Sequence, residues 1–146
     1  MRRSSGDGSR RLSGLAAAAI AVAAVVIALA RVLGDAGEAG PTCANPVAWD
    51  DATAYEGRST AVAGSVADVT YAPDVGGEPT FVNLGNAHPH PDRFDIVIYA
   101  GQREAFDEPP EETLPGRTVC VVGEVRTRDG VPQIIVDTHL SLVVLD

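Results

Sequence analysis

The chain has 146 residues and a formal net charge of −9 at pH 7, which allows one domain and a short additional segment. The charge is distributed unevenly. The first 42 residues hold five arginines and three acidic residues, whereas residues 43–146 hold six arginines and seventeen acidic residues. Residues 43–146 therefore carry about −11. Such a charge repels polyanions and argues against strong non-specific binding of nucleic acid.

Residues 12–30 form a run of nineteen residues without a charge, LSGLAAAAIAVAAVVIALA. An α-helix of that length comes close to the roughly 30 Å thickness of the hydrocarbon core of a bilayer. Four arginines precede the run within residues 1–11, and only Arg31 follows it before the next acidic residue. By the positive-inside rule, we predict a cytoplasmic tail at residues 1–11 and a transmembrane anchor or signal segment at residues 12–33.

The same segment also resembles a signal peptide, because Ala28-Leu29-Ala30 is typical of a cleavage site between small residues. Residues 34–42, rich in glycine, alanine and acidic residues, are predicted to be a flexible linker. The folded part, residues 43–146, is then extracytoplasmic in either case. It belongs to a single-pass protein of the cell membrane if the segment is retained, and to a secreted protein if the segment is cleaved.

The folded part is predicted to begin with a short amphipathic helix. Asn45-Pro46 is typical of a helix start, and Trp49, Ala52 and Tyr55 recur at a spacing of three before a glycine. This pattern predicts about three helical turns. We expect Trp49 and Tyr55 to anchor the helix onto a sheet rather than to stack on a ligand.

Five β-strands are predicted after this helix, with Gly64 and Gly123 as bends in the first and the fourth. A helical turn over residues 101–106 separates the third strand from the fourth. The five predicted strands cover residues 60–71, 80–84, 94–99, 117–128 and 131–137. This order predicts a mainly β fold, a five-stranded Greek-key barrel of the OB type with short helices. A β-sandwich would normally have about seven strands.

Residues 57–138 carry several short motifs: PTF-x-NLG, F-x-I-V-I-Y, G-x-R-x-x-F, G-R-x-V-C-V-x-G and G-x-P-Q-I. In these motifs the chain resembles OB-fold domains of exported bacterial proteins, some of which are attached to nucleases. It departs from them where the third strand ends in Tyr99-Ala100 instead of Trp-Gly. The resemblance implies an OB fold and a module of the nucleic-acid-binding type, with the ligand of this chain left open.

Residues with catalytic or metal-binding potential are few. His88 and His90 lie near Asp92 and Asp95, but zinc requires three or four ligands, and His139 is distant in sequence. Neighbouring acidic residues seldom converge on one substrate, and neither a nucleophile elbow nor a glycine-rich phosphate loop occurs. We therefore predict a protein that is not an enzyme, with no catalytic residue, metal or cofactor.

A ligand face is predicted instead along the middle strands of the barrel and the loops beside them. Aromatic rings and arginines on that face would serve a single-stranded nucleic acid. Arg126 and Arg128 alternate along one strand, so their side chains leave it on the same side, with Val125 directed to the core. The candidate ligand-binding residues are Tyr71, Phe81, Asn83, Arg93, Tyr99, Arg126 and Arg128.

Two functions remain open at this point. One is a non-enzymatic binding module that recognises a protein or another component of the cell envelope; the other is weak binding of single-stranded nucleic acid. The state of the two cysteines is also open at this point. Cys43 and Cys120 form a disulfide if the domain is exported to an oxidising compartment, or Cys120 is simply a small buried apolar residue.

Overall fold

The structure, a computed structural model, describes residues 40–146. The predicted cytoplasmic tail, the membrane or signal segment and nearly all of the linker lie outside the described residues. Within residues 40–146, no helix is both long enough and apolar enough to cross a membrane.

The described part is mainly β, with short helices between the strands. The strands are β1 (Val47–Ala48), β2 (Ser59–Tyr71), β3 (Thr80–Leu84), β4 (Phe94–Ile98), β5 (Thr118–Glu124), β6 (Arg126–Arg128), β7 (Val131–Ile135) and β8 (Leu142–Val144). The helices are a first 3₁₀ helix (Trp49–Tyr55), α1 (Ala100–Arg103), α2 (Pro110–Thr113) and a second 3₁₀ helix (His139–Ser141).

The strands form one mixed sheet that returns to its starting strand. Strands β2, β3 and β4 are antiparallel neighbours, and β4 pairs in parallel with β7. Strand β7 pairs with β6, which continues β5 beyond Val125, and β5 pairs with the first half of β2. This is the strand order of an OB barrel: a three-stranded meander, a helical connection, then a hairpin whose last strand joins the third. The predicted mainly β fold with short helices is therefore confirmed, but the described residues form eight strands where five were predicted.

The length of β2 lets one strand serve both halves of the barrel. Residues 59–65 pair with β5, and residues 66–71 pair with β3, with a register shift between Val66 and Asp68. The predicted bend at Gly64 thus lies just before this shift. Gly64 has a second role, since a Cβ atom there would lie 2.6 Å from Cδ1 of Trp49. Because Gly64 has no side chain, the indole ring of Trp49 can pack directly against the barrel at this position.

The barrel interior is filled by aliphatic side chains and one phenylalanine. Inward-facing positions of β3, β4 and β7 lie opposite one another, as Val82, Ile96 and Ile134 do. All three are fully buried, and burial of each such side chain stabilises the fold by about 1.5–3 kcal/mol. The other largest fully buried apolar side chains are Phe94, Leu84, Ile98, Val62, Val119, Val121, Val125 and Val136.

The predicted first helix is wrong in its type and its start. Val47 and Ala48 are extended and pair in parallel with Val62 and Ala63, so the helical segment begins only at Trp49 and is a 3₁₀ helix. Its predicted contacts are confirmed: Trp49 and Tyr55 pack against the core.

Three further features differ from the prediction. A second helix, α2, follows the predicted helical turn and begins at Pro110, since proline fits the first helical turn. The predicted fourth strand is interrupted at Val125, whose N–H and C=O bond to Arg58 and Gly57 outside the sheet. Strand β8, which pairs with β5, lies beyond the last predicted strand.

The predicted disulfide between Cys43 and Cys120 is confirmed, with the two Cα atoms 6.0 Å apart. Cys120 is fully buried on β5, and Cys43 lies just before β1. The bridge spans 77 positions of the sequence and ties the start of the described chain to the fourth strand of the barrel.

Candidate binding groove

The outer face of β3, β4 and β7 carries a row of polar side chains. Asn83 lies opposite Asp95, and Asp95 lies opposite Gln133. Directly paired residues project from the same face of a sheet, so these three form one row. Their exposed fractions are only 2%, 7% and 8%, although they face away from the barrel interior.

A groove of about 630 Å³ lies over this row. One wall is the proline-rich loop between β3 and β4, which contributes His88, Pro89 and Pro91. The opposite wall is the turn between β6 and β7, which contributes Arg128, Asp129 and Gly130. The ring of Phe81 and the polar row form the floor between the two walls.

A hydrogen-bond network ties the proline-rich loop to the floor. The Asp95 carboxylate accepts hydrogen bonds from Asn83 Nδ2 at 2.7 Å, and from Arg93 Nε at 2.8 Å and Nη2 at 3.2 Å. Arg93 Nη1 also donates to the carbonyl of His90 at 2.7 Å, and the His88 N–H donates to Asn83 Oδ1 at 3.3 Å. The opposite charges of Arg93 and Asp95 therefore compensate each other within the floor.

The predicted ligand-binding residues divide into two groups. Phe81, Asn83, Arg93 and Arg128 line the groove together. Tyr71, Tyr99 and Arg126 do not line it.

Each of the remaining three has another local environment. Tyr71 lies opposite Thr80, the neighbour of Phe81, so the two rings are on opposite faces of the sheet. The ring of Tyr99 packs against the loop between β2 and β3, where a Cβ atom on Gly77 would lie 2.8 Å from it. Arg126 forms an ion pair with Glu124 at 3.2 Å.

A second charged cluster lies away from the groove and is centred on Arg103 of α1. Its guanidinium makes two hydrogen bonds of 2.6 Å with the Glu111 carboxylate and one of 2.9 Å with Thr80 Oγ1. It also lies over the Tyr71 ring, 4.0 Å from the ring centre. The hydrogen bonds from Arg103 lower the pKa of Glu111. Desolvation, assisted by Glu78, raises the pKa of Tyr71.

Sequence reasoning did not single out Gln133, His88, Pro89 or Pro91 for the groove. A polar residue between apolar neighbours in the strand VPQII was the available signal for Gln133. The proline-rich loop gave no such signal, because its position over the floor depends on the network around Asp95. Among residues 40–146, no group of three or more histidine, cysteine or acidic side chains is arranged to hold a metal ion.

Comparison with known proteins gives structural neighbours but no family. No family model matches the chain, and no curated protein matches it. The Stn1–Ten1 complex of S. pombe aligns at 15% identity with a TM-score of 0.44, over 60% of this chain and 57% of that one. The chain thus spans little more than half of that neighbour.

Two further solved structures are similar to parts of the chain. An OBody bound to hen egg-white lysozyme aligns at 16% identity with a TM-score of 0.48, over 72% of this chain and 98% of that one. A Klebsiella pneumoniae lipoprotein, provisionally described as nucleic-acid-binding, aligns at 16% identity with a TM-score of 0.40, over 65% of this chain and 76% of that one. The assignment to the OB class comes from the strand order described above.

Proposed function

We propose that the chain is a non-enzymatic binding module of the OB type, attached to the outer side of a membrane, whose groove recognises a protein partner. The observation that carries the proposal is the groove itself. It lies on the middle strands of the barrel and beside the β6–β7 turn, which joins the last two barrel strands, and both are places where OB barrels hold their ligands. Hydrogen bonds hold its floor together, because Asn83 and Arg93 both donate to the Asp95 carboxylate.

The charges favour a protein over a nucleic acid. A single strand of nucleic acid needs cationic groups for its phosphates and aromatic rings for its bases. Arg93 is paired with Asp95, and Arg126 with Glu124. Of the three aromatic candidates, Phe81 alone lines the groove. The charge of about −11 on residues 43–146 adds long-range repulsion.

Weak binding of single-stranded nucleic acid is the second candidate function. The observation in its favour is that Phe81 and Arg128 line the same groove, where one ring and one cation could hold a single nucleotide. Arg128 is largely exposed, and its nearest acidic contact is Asp129 at 3.9 Å.

Location outside the membrane is supported by two features. The uncharged run 12–30 follows four arginines, as in segments that leave the N-terminus in the cytoplasm. The Cys43–Cys120 bridge is of a kind that persists in oxidising compartments and is rare in the cytosol.

Site-specific crosslinking in the native cells tests the groove. A photoreactive amino acid replaces Arg128 at the groove rim, and the control carries it at the exposed Asp74, which does not line the groove. We expect a discrete protein adduct from position 128 and none from position 74. Adducts that nuclease removes would favour the nucleic-acid alternative. Equal labelling from both positions, or none from either, would contradict a binding role for the groove.

A further inference from the structure

Gln133 occupies an unusual position on the groove floor. Its side chain lines the groove, yet the residue is only 8% exposed. Within residues 40–146 its carboxamide makes no side-chain hydrogen bond, and no fully buried polar side-chain atom lacks a partner. The amide atoms of Gln133 are therefore not sealed inside the protein. Since Gln133 lines the groove, these atoms open onto its space.

The neighbours of Gln133 do not offer the same bonds. Asn83 and Asp95 are bonded to each other and to the loop above them. Gln133 thus presents a carbonyl acceptor and an amide donor side by side in one plane, on a residue that is 8% exposed. A buried polar group of this kind gains most from a ligand that offers one donor and one acceptor at matching spacing.

A residue in an extended peptide offers that pair, because its own N–H and C=O leave the backbone on the same side. Gln133 Oε1 can accept from the N–H of that residue while Nε2 donates to its C=O. The surrounding walls, Pro89, Pro91 and Val131, together with Phe81, suit apolar side chains on either side of that residue. Arg93, the one arginine of the groove floor among the described residues, is paired with Asp95, so a charged ligand finds no unpaired counter-charge on the floor.

We infer that the groove takes an extended, uncharged, apolar peptide segment of the partner, held through its main chain by the carboxamide of Gln133. This rests on the proposed function of the groove. The floor strands are already paired on both sides, so the segment cannot add to the sheet as a further strand. A nucleobase edge also pairs with a carboxamide, but Arg128 at the rim is the single groove arginine that its phosphates could reach, since Arg93 is paired with Asp95.

The chain holds only two glutamines, Gln102 and Gln133, which makes the test direct. The full chain is labelled with ¹⁵N at the glutamine side chains, kept oxidised in detergent micelles, and assigned with Q102L and Q133L. The probes are the capped peptide acetyl-Leu-Val-Leu-amide and, separately, hexathymidylate. We expect the peptide to shift the Gln133 NH₂ signals saturably and to leave those of Gln102, on α1, unmoved.

The variants measure the contribution of the carboxamide. Because Q133L removes the Gln133 signal, binding to this variant is followed at Gly130 in the groove wall by ¹⁵N-glycine labelling. Q133L should weaken peptide binding roughly tenfold, the loss expected for two hydrogen bonds. Q102L makes the same chemical change outside the groove and should leave the affinity unchanged. Trp49 emission verifies that both variants are folded.

Three results would overturn the inference. Shifts caused by hexathymidylate and not by the peptide would assign the groove to nucleic acid. Equal peptide affinity in Q133L would remove the role of the carboxamide. If the peptide leaves the Gln133 NH₂ signals unmoved while position 128 still crosslinks to a protein, the proposed function stands. The inference that the groove takes an apolar peptide segment is then refuted. Failure of the crosslink as well would refute both.

Discussion

At the scale of single residues, charged side chains in this domain mostly bind other parts of the domain. Arg93 holds the proline-rich loop onto the groove floor, and Arg103 joins α1 to the acidic start of α2. Each arginine lies against a carboxylate with two nitrogens, a geometry that a guanidinium satisfies and an ammonium does not. The use of arginine without any lysine agrees with this structural role.

The Arg103 cluster gives a prediction for stability. Replacing Arg103 with methionine removes the Glu111 and Thr80 bonds and the contact with Tyr71, while keeping an apolar stem of similar length. We expect the free energy of unfolding to fall by about 1–3 kcal/mol, as for other partly buried charged hydrogen bonds. Arg128→Met is the matched control, since that side chain is 68% exposed and should change stability by less than about 0.5 kcal/mol. Urea unfolding at pH 7 measures both.

The same pair predicts a pH dependence. Because Arg103 lowers the pKa of Glu111 below its ordinary value of 4.5, the folded state favours the ionised carboxylate. The stabilisation is complete above pH 4.5 and is lost as the pH falls through the lowered pKa. The difference in unfolding free energy between the wild type and Arg103→Met should therefore be constant from pH 6 to 8 and shrink below pH 4.5. A difference that grows in acid would contradict the assigned pair.

Which residues share the groove was only partly predictable from the sequence. Alternation within a strand placed Phe81 and Asn83 on one face. The face that Tyr71 occupies depends on the register in which β2 pairs with β3. That register includes the shift between Val66 and Asp68, which arises from the pairing of the two strands. The sequence pattern does not encode that register by itself. Gln133 became a candidate only when the network around Asp95 showed that its neighbours are already bonded.

At the scale of elements, the first 3₁₀ helix is held on the barrel by Trp49. The indole packs where two strands carry glycine, and a Cβ atom on Gly85 would lie 2.1 Å from Cζ2 of the ring. The contact joins the helix to both β2 and the end of β3. The strands of the barrel were predictable to within a few positions, because apolar runs between turn residues marked them. The short strands β1 and β8 were not predicted, and β5 and β6 were predicted as one strand. The helix type was not, since Val47–Ala48 are drawn into pairing with β2.

The close approach of Trp49 predicts the effect of one added methyl group. Gly64→Ala places a Cβ atom 2.6 Å from Trp49 Cδ1, so the ring must move and its packing is lost. We expect a loss of about 1–3 kcal/mol in unfolding free energy, typical of overpacking. A red shift of the emission should accompany it, because Trp49 is the single tryptophan of the chain. Gly76→Ala is the control, since nothing lies within 4 Å of its added Cβ. Equal effects of the two changes would contradict the packing role of Gly64.

At the scale of the whole molecule, the closed barrel depends on contacts between residues far apart in sequence. Strand β2 pairs with β5 more than fifty positions later, and the disulfide spans 77 positions. Ordering such long loops costs chain entropy before the core contributes stability. A covalent link between Cys43 and Cys120 lowers that cost by restricting the unfolded chain. The stability of the domain is therefore coupled to the compartment in which it resides.

This coupling gives a joint prediction for export and stability. The protein made in its native cells should contain no free thiol when it is denatured and alkylated. Val25→Arg puts a charge into the uncharged run at a cost of about 2.5–3.5 kcal/mol for insertion, so it should leave the domain in the cytoplasm with two free thiols. Val75→Arg, a similar change at an exposed position of the β2–β3 loop, should leave the thiols oxidised.

In purified protein, Cys43→Ala with Cys120→Ala should lower the unfolding free energy by about 4–5 kcal/mol, the value for a loop of this length. Reduction of the wild-type disulfide should lower the unfolding free energy by the same amount if the loss comes from opening the loop. A larger loss in the double alanine variant would indicate a cavity at the buried Cys120. Two free thiols in the native protein would contradict the extracytoplasmic location and leave the domain to fold without its bridge.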